Sequence, residues 1–215
     1  KAKGGDGEAK ASLAVYEQAA AALEGGTMLR QTAFTAAERK LLQPCFLMTI
    51  KPVLFLANVG DDDLPGASKH VAALRGYAER TGALAAHLCG DLEAEFAVMA
   101  PADRAQFMAD FGFTEWAETR NITRTFDLLG LQTYFTAGEN ETRAWVIHKG
   151  DTAPVGAGVI HTDFVKKFVR AEVYQFADLM QCRTEKAVRE SGKLRLEGKD
   201  YVLRDGDVCH FLMAN

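Results

Sequence analysis

The fold turns on the stretch Leu131-Gln-Thr-Tyr-Phe-Thr-Ala-Gly138. From Gln132 to Ala137, β-branched and aromatic residues predominate, as they do in Thr142 to Ile147 and Val169 to Tyr174, with glycines between. Such segments form strands, because branched and ring side chains pack well on a pleated surface. Tyr201 to Leu203 and Val208 to Met213 extend the pattern and flank Asp205-Gly206-Asp207, a turn signal. Phe176 to Ser191 carries one helix candidate. Strands wrapped round one helix between Leu131 and Asn215 imply an α+β domain of the β-grasp kind.

Upstream the pattern changes. Pro52-Val-Leu-Phe-Leu-Ala57 is a compact apolar run, and Ala83 to Cys89 is another; both predict buried strands. Asn58 to Pro65 reads as a polar, acidic loop. A helix is expected over Ala67 to Thr81, with Val71, Leu74, Tyr77 and Ala78 on one face and Gly82 ending it. Further helices are expected over Asp91 to Met99, from Pro101 with Phe107 and Met108 inward and Gly112 as its stop, and over Thr119 to Leu129. Alternation of strand and helix implies a parallel α/β sheet.

Nearest the N-terminus, Lys1 to Gly7 reads as a turn. The Ala-rich segment Glu8 to Glu24 follows, with Leu13, Tyr16, Ala20 and Leu23 at helical spacing. Gly25-Gly26 stops this helix, and Thr35 with Glu38 forms a capping box that opens a second one through Leu42 and on toward Phe46. Two helices joined this way suggest a hairpin or arm. The expected divisions are an arm over 1–49, an α/β part over 50–129 and the β-grasp domain over 130–215.

Apolar residues make up 48% and charged residues 25%, enough for a packed core and unlike a disordered chain. The net charge of −4 excludes a generally basic nucleic-acid coat, so any RNA contact must be a local patch. No apolar run approaches the length of about 20 residues that a membrane helix needs. Cys45, Cys89, Cys182 and Cys209 are widely spaced and form no C-x-x-C pair, which argues for reduced thiols rather than a metal site or disulfides. Lys1 is not a methionine and no signal peptide follows, so the chain is read as beginning inside a larger, cytoplasmic protein.

Several strings, taken in order and spacing, carry a resemblance. They are Lys1-Ala-Lys-Gly-Gly-Asp6, Lys51-Pro-Val-Leu-Phe-Leu-Ala-Asn-Val59, Leu131 to Gly138, Arg143-Ala-Trp145, Gly158-Val-Ile-His-Thr-Asp-Phe164, Gly192 to Tyr201 and Asp205-Gly-Asp-Val208. Together they resemble the YchF family, Obg-related P-loop NTPases of the translation-factor class that associate with ribosomes. The resemblance implies the end of a helical arm, the C-terminal part of a nucleotide-binding domain and a β-grasp TGS domain. It implies ATP (or GTP) and Mg²⁺ in the intact protein and ribosomal RNA as partner, with no membrane and no sequence-specific DNA contact. The phosphate-binding string G-x-x-x-x-G-K-[ST] is absent from this sequence, so neither nucleotide nor metal is expected to be held tightly by this chain alone, and no catalytic residue is assigned.

Base recognition is what the resemblance leaves to this chain. Asn58-Val59-Gly60-Asp61 stands where the class has an N-K-x-D-type loop, whose Asn braces the loop and whose acid reads the base. The family usually has a glutamate at the position of Asp61, a change that goes with preference for ATP, whereas an aspartate there accepts hydrogen bonds from guanine. Val59 replaces the lysine that covers the base. The choice between ATP and GTP stays open. Cys89 and Gly90 match the backbone loop that touches the carbonyl edge of the base. The bland alternatives are that Asn58 only forms a turn and that Asp61-Asp62-Asp63 is a solvated loop.

Two basic clusters could meet RNA. One is Lys166, Lys167 and Arg170; the other includes Lys193, Arg195 and Lys199. A solvated surface balanced by Glu172, Glu185, Glu190 and Glu197 is the equal alternative. Tyr134 and Trp145 are expected in the core rather than stacked on bases. His161-Thr162-Asp163 is read as a structural loop, since no nucleophile accompanies it. His87, His148 and His210 stand alone in the sequence.

Overall fold

Alanine makes Gly7–Glu24 the longest helix, α1, in this computed structural model, which describes residues 7–110, 115–138 and 141–214, except the side chain of Glu8. The expected turn at Lys1 to Asp6 and the stop at Gly112 lie outside the described residues, and Gly7 already belongs to α1. Two units divide the chain, Lys1–Leu128 and Leu129–Asn215.

In the first unit α1 does not bury the face its spacing suggests. Val15 and Ala19 enter the core, whereas Leu13, Tyr16 and Leu23 stay 44%, 41% and 39% exposed. The reason is partner size. The one layer packed on α1 comes from Leu29, Phe34 and Leu42, and it seats against the small alanine side of the helix. Helix α2 (Ala36–Leu42) starts on the expected capping box, in which the Glu38 amide donates to Thr35 Oγ1 (3.3 Å) and the Thr35 amide to Glu38 Oε2 (2.7 Å). It does not continue to Phe46. Pro44 has no amide hydrogen to offer, and Gln43–Cys45 becomes a single 3-10 turn closed by Phe46 in the left-handed region (φ 50°).

Strand β1 (Leu54–Asn58), helix α3 (Lys69–Arg80) and strand β2 (Leu84–Leu88) form a parallel crossover, with Leu54 opposite Leu84 and Asn58 opposite Leu88. Ser68 caps α3 and Gly82 (φ 62°) ends it. The Tyr77 ring meets Phe55 edge-on at 5.6 Å, and Val71 and Ala78 are buried. Helices α4 (Gly90–Val98), α5 (Pro101–Asp110) and α6 (Ala117–Leu128) follow, joined by Phe96, whose ring lies 5.1 Å from Phe107 and 4.4 Å from Trp116. The expectation of a buried β1 fails among the described residues: Leu56 is 49% exposed, where it borders an open groove with Leu54, Ile122 and Phe126.

The second unit holds strands β3 (Leu131–Ala137) and β4 (Thr142–His148), helices α7 (Ala153–Ile160) and α8 (Thr162–Lys167), and strand β5 (Phe168–Gln175). Helices α9 (Phe176–Cys182) and α10 (Glu185–Glu190) and strands β6 (Arg195–Glu197) and β7 (Asp207–Met213) complete it. The sheet order is β4-β3-β7-β5-β6, and the first and last strands lie parallel at its centre, the β-grasp arrangement. Side-chain alternation gives the sheet two covered faces. Tyr134, Ile147, Val173 and Cys209 pack with Ala153 and Ala157 of α7, while Tyr174 and Val208 pack with Val188 of α10.

The single expected helix is therefore four. Phe176 to Ser191 breaks where Arg183 turns left-handed (φ 70°). Helix α7 hides in an Ala/Gly segment because close approach is its purpose: a Cβ on Gly156 would fall 2.3 Å from Leu203 Cδ1. His161-Thr162-Asp163 is a helix start, where the Asp163 amide donates to His161 Nδ1 (3.3 Å). Tyr201 to Leu203 makes only one bridge, Thr152 to Val202, and the edge strand is instead Arg195–Glu197. Tyr134 is fully buried and donates to the Gly156 carbonyl (2.9 Å), as the core reading requires.

Candidate functional site

The C-terminal ends of a parallel strand pair are where α/β sheets bind ligands, because loops there open a crevice. Asn58 closes β1 at that end. The Val59 amide donates to the Leu88 carbonyl (2.8 Å), carrying the ladder one residue past the strand. Asn58 Oδ1 accepts from the Gly90 amide (2.9 Å), so it satisfies the first free N–H of α4 from outside that helix. The fit is close, since a Cβ on Gly90 would stand 3.1 Å from Asn58 Oδ1. Two loops far apart in sequence, Asn58–Asp61 and Cys89–Gly90, are thus fastened side by side.

The acidic loop divides its labour. Asp61 and Asp62 are exposed on a 3-10 turn, Asp61–Asp63. Asp63 turns back and accepts from the amides of Ala67 (2.7 Å) and Ser68 (3.1 Å). Its hydrogen bonding to Ser68, aided by the Ala67 amide, holds this carboxyl below the usual aspartate range. Asp63 is therefore a structural clasp, and Asp61 and Asp62 are the carboxylates left exposed beside it.

His87, isolated in the sequence, supports the same loop. Its Nε2 lies 3.1 Å from the Leu64 carbonyl and its Nδ1 3.3 Å from an Arg75 guanidinium nitrogen. The arginine can only donate, so Nδ1 accepts and Nε2–H donates to Leu64. Burial depresses the pKa of His87, and the charges of Arg120, Arg75 and Arg124 add to this against the opposing Leu64 hydrogen bond. Gly66 (φ 62°) admits the ring, since a Cβ there would sit 2.7 Å from its carbons. Only the glycine hinted at this contact in the sequence.

At this end of the strand pair Asp61 and Asp62 are exposed acceptors, while the Gly90 amide is held by Asn58 (2.9 Å) and the Cys89 carbonyl accepts from the Glu93 amide (3.0 Å). This end does not fit a metal ion. Among the described residues no group of three His, Cys, Asp or Glu could hold one, and Asp63 is already occupied by amides.

The basic residues of the second unit do not share one role. Lys166 and Lys167 end α8 and are exposed, as are Arg170 on β5 and Lys199. Lys193 instead donates to Asp178 (2.7 Å) and Gln181 (2.7 Å). Arg195 lies over the Tyr201 ring, pairs with Glu197 (3.2 Å) and donates to Tyr201 Oη (2.8 Å). Tyr201 in turn donates to Asp207 (2.9 Å); burial first, and that bond second, push its phenol up to about 12. Asp207 is wholly buried and also accepts from the Arg204 amide (2.8 Å) and from Gln175. Asp205 accepts from the Thr133 amide (2.8 Å), so the Asp-Gly-Asp turn locks β3 to β7.

The fold defines a class: a parallel α/β crossover unit joined in sequence to a β-grasp domain. Residues 131–214 match the family model YchF-GTPase_C, described as a protein of unknown function (DUF933). The chain is 42% identical over 212 residues to the ribosome-binding ATPase YchF of Escherichia coli O157:H7, which covers 99% of this chain and 58% of that protein. It is 39% identical to the ribosome-binding ATPase YchF of Bacillus subtilis, covering 98% of this chain and 58% of the relative. The Schizosaccharomyces pombe YchF GTPase structure superposes with a TM-score of 0.81 at 30% identity, over 94% of this chain and 55% of that one. The chain belongs to the YchF family, and it spans 58% of the length of these curated relatives.

Proposed function

We propose that this chain is the base-recognising and docking portion of a cytoplasmic, ribosome-associated nucleoside triphosphatase. The observation that carries the reading is the Asn58–Gly90 hydrogen bond, which fastens the two loops side by side, with Asp61 exposed three residues beyond Asn58. In the intact protein ATP or GTP, with Mg²⁺, would be held by a phosphate loop that this sequence does not contain. This portion would supply Asn58 as brace, Asp61 as base reader, and Val59, Cys89 and Gly90 as walls. Residues 1–49 would be the end of the arm and 130–215 a TGS domain facing ribosomal RNA, with Lys166, Lys167, Arg170 and Lys199 as exposed cations that join no ion pair among the described residues. The names of the relatives, ribosome-binding ATPase and GTPase, support the reading and leave the base open.

Calorimetry on the protein at its relatives' full length tests it. With Asp61 in place, GTP and ATP bind comparably, and Asp61→Glu shifts preference to ATP. Asn58→Ala weakens both by about fivefold, the worth of one hydrogen bond of about 1 kcal/mol. Unchanged affinity in Asn58→Ala would refute the reading. A second reading, a docking module without turnover, is favoured for this chain by the missing phosphate loop. Mg²⁺-dependent hydrolysis by residues 1–215 alone would exclude it.

A further inference from the structure

Phe46 is the most exposed aromatic side chain among the described residues, at 78%, and Met48 beside it is 74% exposed. Its backbone is left-handed, φ 50° and ψ 33°, a region that glycine tolerates and a bulky residue resists. Only Arg183 shares this departure among the described non-glycine residues. A position suited to glycine thus carries a ring that none of the described residues buries. Held side chains of this sort cluster at binding sites.

The ring borders an open groove of about 470 Å³. Leu47, Ile50 and Pro52 contribute apolar surface to it, and Arg39, Lys40 and Lys51 line it as cations, with no carboxylate among the lining residues. Arg39 and Lys40 belong to the last turn of α2. None of the three cations joins an ion pair among the described residues. An apolar helix seated here would strip water from three charges without neutralising them. A duplex would meet the charges and leave the ring unused, because its bases are stacked on one another. A single strand supplies both needs at once, a free π-face for the ring and phosphates for the cations.

We propose that this groove is a docking site for single-stranded RNA, with one base stacked on Phe46 and backbone phosphates on Arg39, Lys40 and Lys51. The proposal takes its RNA from the ribosome-contact reading above and is independent of the loops fastened at Asn58.

The test is fluorescence anisotropy of the protein at its relatives' full length with a labelled single-stranded RNA of about 12 nucleotides across a salt series. Phe46→Ala weakens binding by about tenfold and leaves the salt dependence unchanged, because stacking releases no counterions. Arg39→Ala, Lys40→Ala and Lys51→Ala each reduce the salt slope by about 1. Phe46→Gly weakens binding equally while raising the melting temperature, since glycine is at ease at this φ. Affinity of Phe46→Ala within twofold of wild type overturns the proposal, as does equal binding of a duplex of the same sequence. Ribosome co-sedimentation separates the two readings. Wild type and Phe46→Ala sedimenting equally refutes the groove and keeps ribosome contact. RNA binding through Phe46 without sedimentation keeps the groove and refutes ribosome contact.

Discussion

Replacing Asp207 with asparagine should loosen the β-grasp unit far more than one changed atom suggests. The carboxylate has no solvent exposure and accepts from Tyr201 Oη, the Arg204 amide and Gln175, with Arg195 at 3.6 Å. Asparagine offers one acceptor and one donor group, so its NH₂ must face something that was donating. On the Tyr201 side the Arg204 amide cannot reverse. On the other side Gln175 can flip, but the guanidinium cannot. The best arrangement therefore keeps the first side and gives up the charge contact. Arg195 is 38% exposed, so that contact is discounted for solvent. Losing the buried carboxylate's charge and turning a buried donor toward the guanidinium cost about 2–4 kcal/mol. Amide exchange at Val173 and Cys209, which pair across β5 and β7, reads this directly. Protection there should fall by about 30- to 1000-fold if these amides exchange through opening of the unit. A fall of less than about tenfold would show that the network is not what holds the turn.

Other consequences are simpler to read. Gly156→Ala drives a methyl against the buried Leu203 and should cost about 1–3 kcal/mol despite the better helix former, seen as a lower melting temperature; equal stability would refute the close packing. His87 titrates below the ordinary histidine value because burial disfavours its charged form. An unfolded His87 takes up its proton first as pH falls, so its contribution to stability is complete above about pH 6.5 and is lost as pH drops toward the lower folded value. His87→Gln should flatten the urea midpoint between about pH 7.5 and 5.5, and an unaltered pH profile would remove His87 from the loop. Thr35→Ala removes the acceptor of the Glu38 amide and should cost about 1 kcal/mol in urea unfolding of the first unit, a loss absent if the capping box is incidental.

The sequence made strands legible wherever side chains alternated or clustered. β3, β4, β5 and β7 lie within a residue or two of expectation because Tyr134, Ile147, Val173 and Val208 face packed helices. It hid α7, whose Ala and Gly residues serve close approach to Leu203 and mimic a loop in composition. It hid β6, three residues that pair only through β5, and it merged α9 with α10 because Arg183 shows no sign of a left-handed turn. The α1 face was misread because periodicity reports an apolar stripe and cannot say which neighbour arrives. Of the two fastened loops, Asn58 and Gly90 could be named from the family resemblance. The clasp by Asp63 and the strut by His87 could not, since both depend on backbone groups that carry no letter.

The central position of β7 has a consequence for how the second unit is made. Phe135 on β3 pairs with Val208 on β7, and β7 also pairs along β5. During synthesis β3, β4, β5 and β6 all emerge before the strand that must lie between β3 and β5. Until β7 arrives the nascent sheet is two fragments with a vacant slot, each exposing open edges. Assembly of this unit must therefore wait until Asp207–Met213 has emerged, and a chain cut short of Asp207 would lose the middle of its sheet rather than its margin.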